Sequence, residues 1–201
     1  MRICIYEDRH VRGLEPLTLT RPVMDLLCGL TTLGEKQARF FAATAIGHLC
    51  RPLVAEQIRT RDQLTRVNDP GWLRAAPTVL VNARWIPPTH NRSVGLMASR
   101  RGVGSGSANL FSEGSFLGTV EGEIAFAVLN TRLLSAVSPS TLDDCLADWI
   151  QSLPTQEVGG TIVSRLWELI EKNPHQITRD FDSVADRGVA GFHPNGFALI
   201  G

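Results

Sequence analysis

Short apolar runs that stop at polar residues, separated by stretches of helix-forming composition, constrain this chain more tightly than any other feature. The first, RICIY (2–6), ends at Glu7-Asp8, and TVLVN (78–82) and GEIAFAVLN (122–130) repeat the pattern. Runs of this kind suit strands covered by helices on both faces, as in a parallel sheet. HLCRPLVA (48–55) is expected as a further strand with a proline at its edge, followed by a polar helix over 56–67. Strand alternating with helix predicts an α/β sandwich whose sheet is mainly parallel.

Between the first strand and the next lies LEPLTLTRPVMDLLCGLTTLGEK (14–36), far longer than the usual connection of about 4–6 residues, which marks it as a binding element. Within it, RPVMDLLCG spaces Val23, Leu26, Leu27 and Leu30 for a short helix, with Pro22 in its first turn and Gly29 at its stop. Thr32 and Glu35 form a T-x-x-E capping box that opens a longer helix, expected to run to Gly47. In open parallel sheets the ligand crevice lies outside the carboxyl ends of the strands, so Glu7 to Lys36 should border it.

After WIPP (85–88) the pattern loosens, and 99–115, rich in Gly and Ser, is expected to be a loop or hairpin. Further on, 140–153 reads as a helix with Leu142, Leu146, Trp149, Ile150 and Leu153 on one face. Another helix is expected over 162–173 and a short one in PHQITRDFDSV. GFALIG (196–201) ends on an apolar run, as a domain cut from a longer chain would.

With 201 residues the chain can bury roughly 70% of its unfolded surface as one domain. Its 20 basic groups equal its 20 acidic ones, so no field of one sign recruits nucleic acid or an anionic membrane, and any anion must be held locally. No window approaches the roughly 20 apolar residues of a spanning helix, and the N-terminus does not read as a signal peptide, so a cytoplasmic protein is expected. Cys4, Cys28, Cys50 and Cys145 form no CxxC pair, and the five histidines show no HxxxH or HxH spacing, against a zinc site. There is no G-x-S-x-G elbow.

The position argument nominates a phosphate clamp. Backbone N–H groups at the Thr32 helix start, the Lys36 ammonium one turn in, and the forked Arg21 guanidinium suit the oxygens of a diphosphate. The competing reading pairs Arg21 with Asp25 or Glu15 and leaves Lys36 in solvent. Glu7 and Asp8 can meet a ribose hydroxyl or Mg²⁺; Asn82 can meet a base, sugar or metal, and Arg84 a phosphate. Glu121 and Glu123, at a strand entry, can touch a sugar or metal, or simply guard an edge. RRGVGSGS (100–107) lacks the Lys-Ser/Thr ending of a phosphate loop.

Taken together, Asp8, LEPLTLTRP, GLTTLGEK, VLVNARWIPP and VEGEIAFAV resemble GlmU-like sugar nucleotidyltransferases, over nearly the whole chain. The resemblance implies a Rossmann-like nucleotidyltransferase fold, three-layered with a mainly parallel mixed sheet. It implies an enzyme that joins a sugar 1-phosphate to a nucleoside triphosphate with release of pyrophosphate, using Mg²⁺, with Arg21 and Lys36 as the triphosphate-handling, catalytic pair. Glu7, Asp8, Thr32, Asn82, Arg84 and Glu121 would bind substrate, Asp8 and Asn82 also metal. In longer members a left-handed β-helix follows, through which the full-length protein would be a homotrimer. Two departures stand out: the chain lacks the L-x-x-G-x-G-T-R-M loop of N-acetylglucosamine-1-phosphate uridylyltransferases, and Asn82 stands where they carry a metal-binding Asp. These leave open a domain without catalysis that binds a nucleotide or sugar nucleotide, or organises a β-helix oligomer.

Overall fold

The computed structural model describes residues 1–61, 65–88 and 114–185. Arg2–Tyr6 forms β1, an inner strand of the sheet. The hairpin pieces Leu27–Cys28 (β2) and Thr31–Thr32 (β3) follow it, and Ala45–Leu49 (β4) and Arg66–Val67 (β5) come next in the chain. Val79–Asn82 is β6 and Trp85–Ile86 is β7. Phe116–Val120 (β8), Glu123–Val128 (β9), Thr155–Glu157 (β10) and Thr161–Ile162 (β11) complete the strands among the described residues. Seven of them make one sheet in the order β10-β8-β9-β6-β1-β4-β5. β4 and β6 flank β1 in parallel, with Ile3 opposite Ile46 and Val79. β9 pairs antiparallel with both β6 and β8, while β10 lies parallel to β8 and β5 parallel to β4, so β9 alone runs against the rest. This is the expected mainly parallel mixed sheet.

Alternation along β1 divides the core. Ile3 and Ile5, with Val79 and Val81, bury against Leu33 and Phe40 of helix α1 (Leu33–Phe40), while Cys4, Tyr6 and Leu80 face the other way. There they meet Leu73 of α3 (Pro70–Ala75), Leu134 of α4 (Thr131–Ser135), and Leu142 and Trp149 of α5 (Leu142–Ser152). Side chains of successive strand residues point to opposite faces, so two helical layers enclose the sheet. On the α1 side Phe40 meets Trp85, and Phe41 meets Phe126, edge to face at 5.0 and 5.3 Å. Gly118 admits the Phe126 ring: a Cβ there would lie 2.5 Å from it.

Several boundaries differ from expectation. The strand expected over 48–55 is β4 and ends at Leu49, and Pro52 opens helix α2 (Pro52–Arg61), since proline fits a first helical turn. The connector's short helix is a 3-10 turn, Val23–Asp25, followed by the β2–β3 hairpin, because Gly29 at φ +84° reverses the chain where a helix stop was read. α1 ends at Phe40, well short of Gly47, since Ala45–Leu49 is taken into the sheet beside β1. The two helices expected near the end are one, α6 (Leu166–Ala185), running through Pro174. Most of the 99–115 segment and all of 196–201 lie outside the described residues.

Candidate active site

β1 delivers Glu7 and Asp8 to the carboxyl edge of the sheet, and both are buried. Glu7 Oε1 accepts the Val23 N–H at 2.9 Å, and Oε2 accepts from Arg51 Nε at 3.0 Å. It fastens the connector and the end of β4 to the strand. Asp8 Oδ1 accepts from the His10 N–H and Arg84 Nε, each at 3.0 Å. Its Oδ2 accepts from Arg84 Nη2 at 2.7 Å and from Asn82 Nδ2 at 3.0 Å.

Arg84 is 1% exposed and serves as the hub. Besides Asp8, it donates to Glu123 Oε2 at 2.9 Å, the Val163 carbonyl at 3.2 Å and Ser164 Oγ at 3.1 Å. Burial works against its charge, but the Asp8 and Glu123 carboxylates outweigh that and leave its pKa raised. Asn82 is oriented through both ends, Oδ1 accepting the Arg84 N–H and Nδ2 donating to the Ile124 carbonyl. Burial first, then the Asp8 charge, lifts the neighbouring Tyr6 phenol well above its ordinary pKa.

Two cavities open over this network. The larger, about 580 Å³, is walled by Glu7 to Arg12, by Leu49 to Pro52 past the end of β4, and by Pro139, Leu142 and Asp143 at the start of α5. The smaller, about 230 Å³, is walled by Tyr6, Asn82, Arg84, Gly122, Glu123 and one face of α5. They share Asp8, Arg9, His10 and Asp143, so one cleft runs across the carboxyl ends of β1, β4 and β6. The Arg9 N–H donates to Asp143 Oδ1 at 3.1 Å and ties the two walls together. Cys50 lines the cleft as well, but burial and then the Glu7 charge push its thiol up to about 12, so it stays protonated and is no nucleophile at neutral pH.

The structure brings Glu7, Asp8, Asn82 and Arg84 to this cleft. It does not bring the expected clamp together there. Lys36 is buried, its ammonium 2.5 Å from Asp180 of α6, and it lines neither cavity. The Thr32 hydroxyl and the Glu35 N–H are spent on each other in the capping box. Arg21 is exposed, with no hydrogen bond or ion pair among the described residues, and it too lines neither cavity. The surface alternative fares no better, because Asp25 pairs with Arg61 and Lys36 is out of solvent. Glu121 sits exposed in the β8–β9 turn at φ +52°, and Glu123 beside it is the one that reaches Arg84.

Arg9, His10, Arg12, Arg51 and Asp143 were not singled out from the sequence. The first three continue EDRHVR directly from the strand end, so the argument that nominated Glu7 and Asp8 extends to them. Arg51 was hidden inside an overlong strand, and Asp143 joins only through the packing of α5.

The donor set does not suit a resident divalent cation at Asp8 and Asn82. Both Asp8 oxygens and the Asn82 amide oxygen already accept hydrogen bonds, and the Arg84 guanidinium occupies the position facing the carboxylate. Hard cations need several free oxygens. No group of three or more His, Cys, Asp or Glu side chains that could hold a metal occurs among the described residues.

Comparison with known proteins bears on the same fold. A family model described as sugar nucleotidyl transferase matches residues 3–188. Among solved structures, a Bacillus anthracis protein assigned as a glucose-1-phosphate thymidylyltransferase, in complex with a sucrose, is similar at a TM-score of 0.56 and 13% identity, over 88% of this chain and 95% of its own. UDP-glucose pyrophosphorylase from Acinetobacter baumannii gives 0.51 and 6%, over 93% and 99%. A UTP-bound structure of the enzyme from that organism gives 0.53 and 8%, over 92% and 99%. At such identities the likeness is one of fold. No curated protein matches the chain in sequence. The family match covers nearly the full length, including the connector, the strand ends and the Asn82–Arg84 corner, and on it the chain belongs to the sugar nucleotidyl transferase family.

Proposed function

We propose that the chain transfers a nucleotidyl group from a nucleoside triphosphate to a sugar 1-phosphate, releasing pyrophosphate, in the cleft at the carboxyl edge of the sheet. One observation carries this reading: a chamber of about 580 Å³, fringed by Arg9, Arg12 and Arg51, joins a smaller one beside Asn82, Arg84 and Glu123. The Arg9 and Arg12 side chains suit a triphosphate beside an Arg51 already held by Glu7 and the Thr18 carbonyl, and the smaller chamber, lined by apolar as well as polar side chains, suits a sugar. A phosphate oxygen of the sugar 1-phosphate forms the new bond to the α-phosphorus. The bridging bond to the β-phosphate breaks, and its electron pair leaves with pyrophosphate. A phosphate monoester is anionic at neutral pH, so no general base is needed; the protein aligns the reactants and offsets charge.

Arg21, which lines neither cavity, belongs to this proposal as a triphosphate contact carried on the connector, whose Thr18 carbonyl accepts from Arg51 at 2.6 Å. Mg²⁺ is assigned to none of the chain's residues and enters the proposal only as a companion of the triphosphate. No helix of the described residues is long and apolar enough to cross a membrane. A cytoplasmic setting, a following β-helix and a homotrimer built on it remain parts of the proposal.

A second reading, nucleotide binding without turnover, is favoured by the hydrogen-bonded state of Asp8 and Asn82 and by the ion pair at Lys36. Pyrophosphate release from a panel of nucleoside triphosphates and sugar 1-phosphates separates the two. The enzyme reading expects turnover, reduced at least ~10-fold by joint Arg9→Ala and Arg12→Ala substitution. Saturable nucleotide binding with no turnover for any pair would overturn it in favour of the second.

A further inference from the structure

Helix α1 buries Leu33, Gln37 and Phe40 at helical spacing, and the middle member of that face is polar. Gln37 is fully buried. Its Nε2 donates to the carbonyls of Asn82 at 2.8 Å, Ala83 at 3.2 Å and Trp85 at 2.8 Å. Three acceptors around one group fix which way the amide points, because Oε1 in that place would face only other oxygens. The opposite Oε1 is buried and has no hydrogen-bond partner among the described residues. An unpaired buried acceptor is costly, and a methionine of similar length would fill the same space without one. Packing alone therefore does not account for an amide at this position.

The three carbonyls do account for it. β6 ends at Asn82, and β7 begins at Trp85 in a separate two-stranded sheet, so the chain between them has left one ladder before it joins another. Carbonyls buried in such a crossing need donors from outside the sheets. Of the four from Asn82 to Trp85, that of Arg84 accepts the Val163 N–H at 2.9 Å, and the other three accept from Gln37. The same corner presents Asn82 and Arg84 to the smaller cavity, while Gln37 lines neither cavity.

We infer that Gln37 is a positioning residue for the smaller chamber: its amide holds the 82–85 backbone so that Asn82 and Arg84 meet Asp8 and Glu123. The larger chamber is framed separately, by Glu7, Arg51 and the connector, and does not depend on that amide. Assigning the smaller chamber to a sugar 1-phosphate rests on the nucleotidyl-transfer reading; the hold on Arg84 does not. A residue that only stabilised the fold would loosen both chambers alike, and that difference is measurable.

Gln37→Met keeps the length of the side chain and removes its donors. In the ¹⁵N-labelled full chain, the Arg84 Nε–H, bonded to Asp8 at 3.0 Å, is expected to exchange with solvent at least ~10-fold faster in the variant. The Arg51 Nε–H, bonded to Glu7 at 3.0 Å in the larger chamber, and the amides of α5 should keep their native rates. Unchanged Arg84 exchange in a folded variant overturns the inference, as does equal acceleration at Arg84 and Arg51. The unaltered protein gives a check that needs no variant: the Gln37 side-chain amide protons should be protected relative to those of the exposed Gln57 and Gln151. Exchange as fast as theirs overturns the inference even if Gln37→Met does not fold. Kinetics is scored separately, with the variant's KM for sugar 1-phosphate expected to rise about tenfold and that for the triphosphate to stay within about twofold. An equal rise in both contradicts the positioning role. No turnover by the native protein with any substrate pair sinks the catalytic reading alone, since the exchange results stand without it.

Discussion

At the scale of single residues, the cleft rests on a carboxylate and a guanidinium 76 positions apart. Asp8 and Arg84 were each nominated by standing at a strand end, but nothing local in the sequence reveals that they satisfy one another, because the pairing is made by the parallel register of β1 and β6. The same register turns Asn82 from a metal candidate into a spacer for that pair. Asp8→Asn leaves the Arg84 charge buried with only the partly exposed Glu123 to balance it, and urea denaturation should show a loss of about 3–5 kcal/mol. A loss under 1 kcal/mol would mean the pair is not buried as described. Burial raises the thiol pKa of Cys50 from about 9 to about 12, and those of Cys4 and Tyr6 in the same direction. A group whose folded pKa is raised contributes stability that is complete below its unfolded value and lost as pH climbs toward the folded one. The melting temperature should therefore fall as pH rises above about 9, through the window set by Cys50, and Cys50→Ala should flatten part of that fall. A pH-independent Tm from 8 to 11 would contradict the burial.

At the scale of elements, signals that live within one turn were readable and signals that depend on partners were not. The capping box at Thr32 is formed as the T-x-x-E spacing implies, with the Glu35 carboxylate accepting the Thr32 N–H at 2.7 Å. The connector's helix was misread because Gly29 serves equally as a helix stop and as a hairpin reversal, and only the pairing of β2 with β3 decides between them. Gly29→Ala places a Cβ 2.5 Å from Asp180 Oδ2 and 2.8 Å from the Gln176 carbonyl oxygen at a positive φ. It should cost about 1–3 kcal/mol and increase hydrogen exchange in α6. The apolar face of α5 was legible in part: Leu142 and Trp149 are buried as their spacing implies, whereas Ile150 is exposed. Trp149→Ala should lose about 3–5 kcal/mol by calorimetry or denaturant titration, and a near-neutral result would show the ring is not in the core.

At the scale of the whole molecule, the sheet was legible because short apolar strands alternating with helices leave few arrangements, and parallel strands bring the connections that follow them to their shared carboxyl edge, antiparallel β9 excepted. That single rule located the cleft before its walls were known. It did not tell which connector residues face the cleft and which face α6, since α1 lies against one side of the sheet and α5 against the other. Lys36 thus stands at the expected edge but in a different nest. The most direct test of the account is the position of a nucleoside triphosphate soaked into crystals of the protein. Phosphates lying among Arg9, Arg12 and Arg51, with the smaller chamber beside Glu123 left open, are the predicted result. A nucleotide seated elsewhere on the molecule, with that cleft empty, would contradict it.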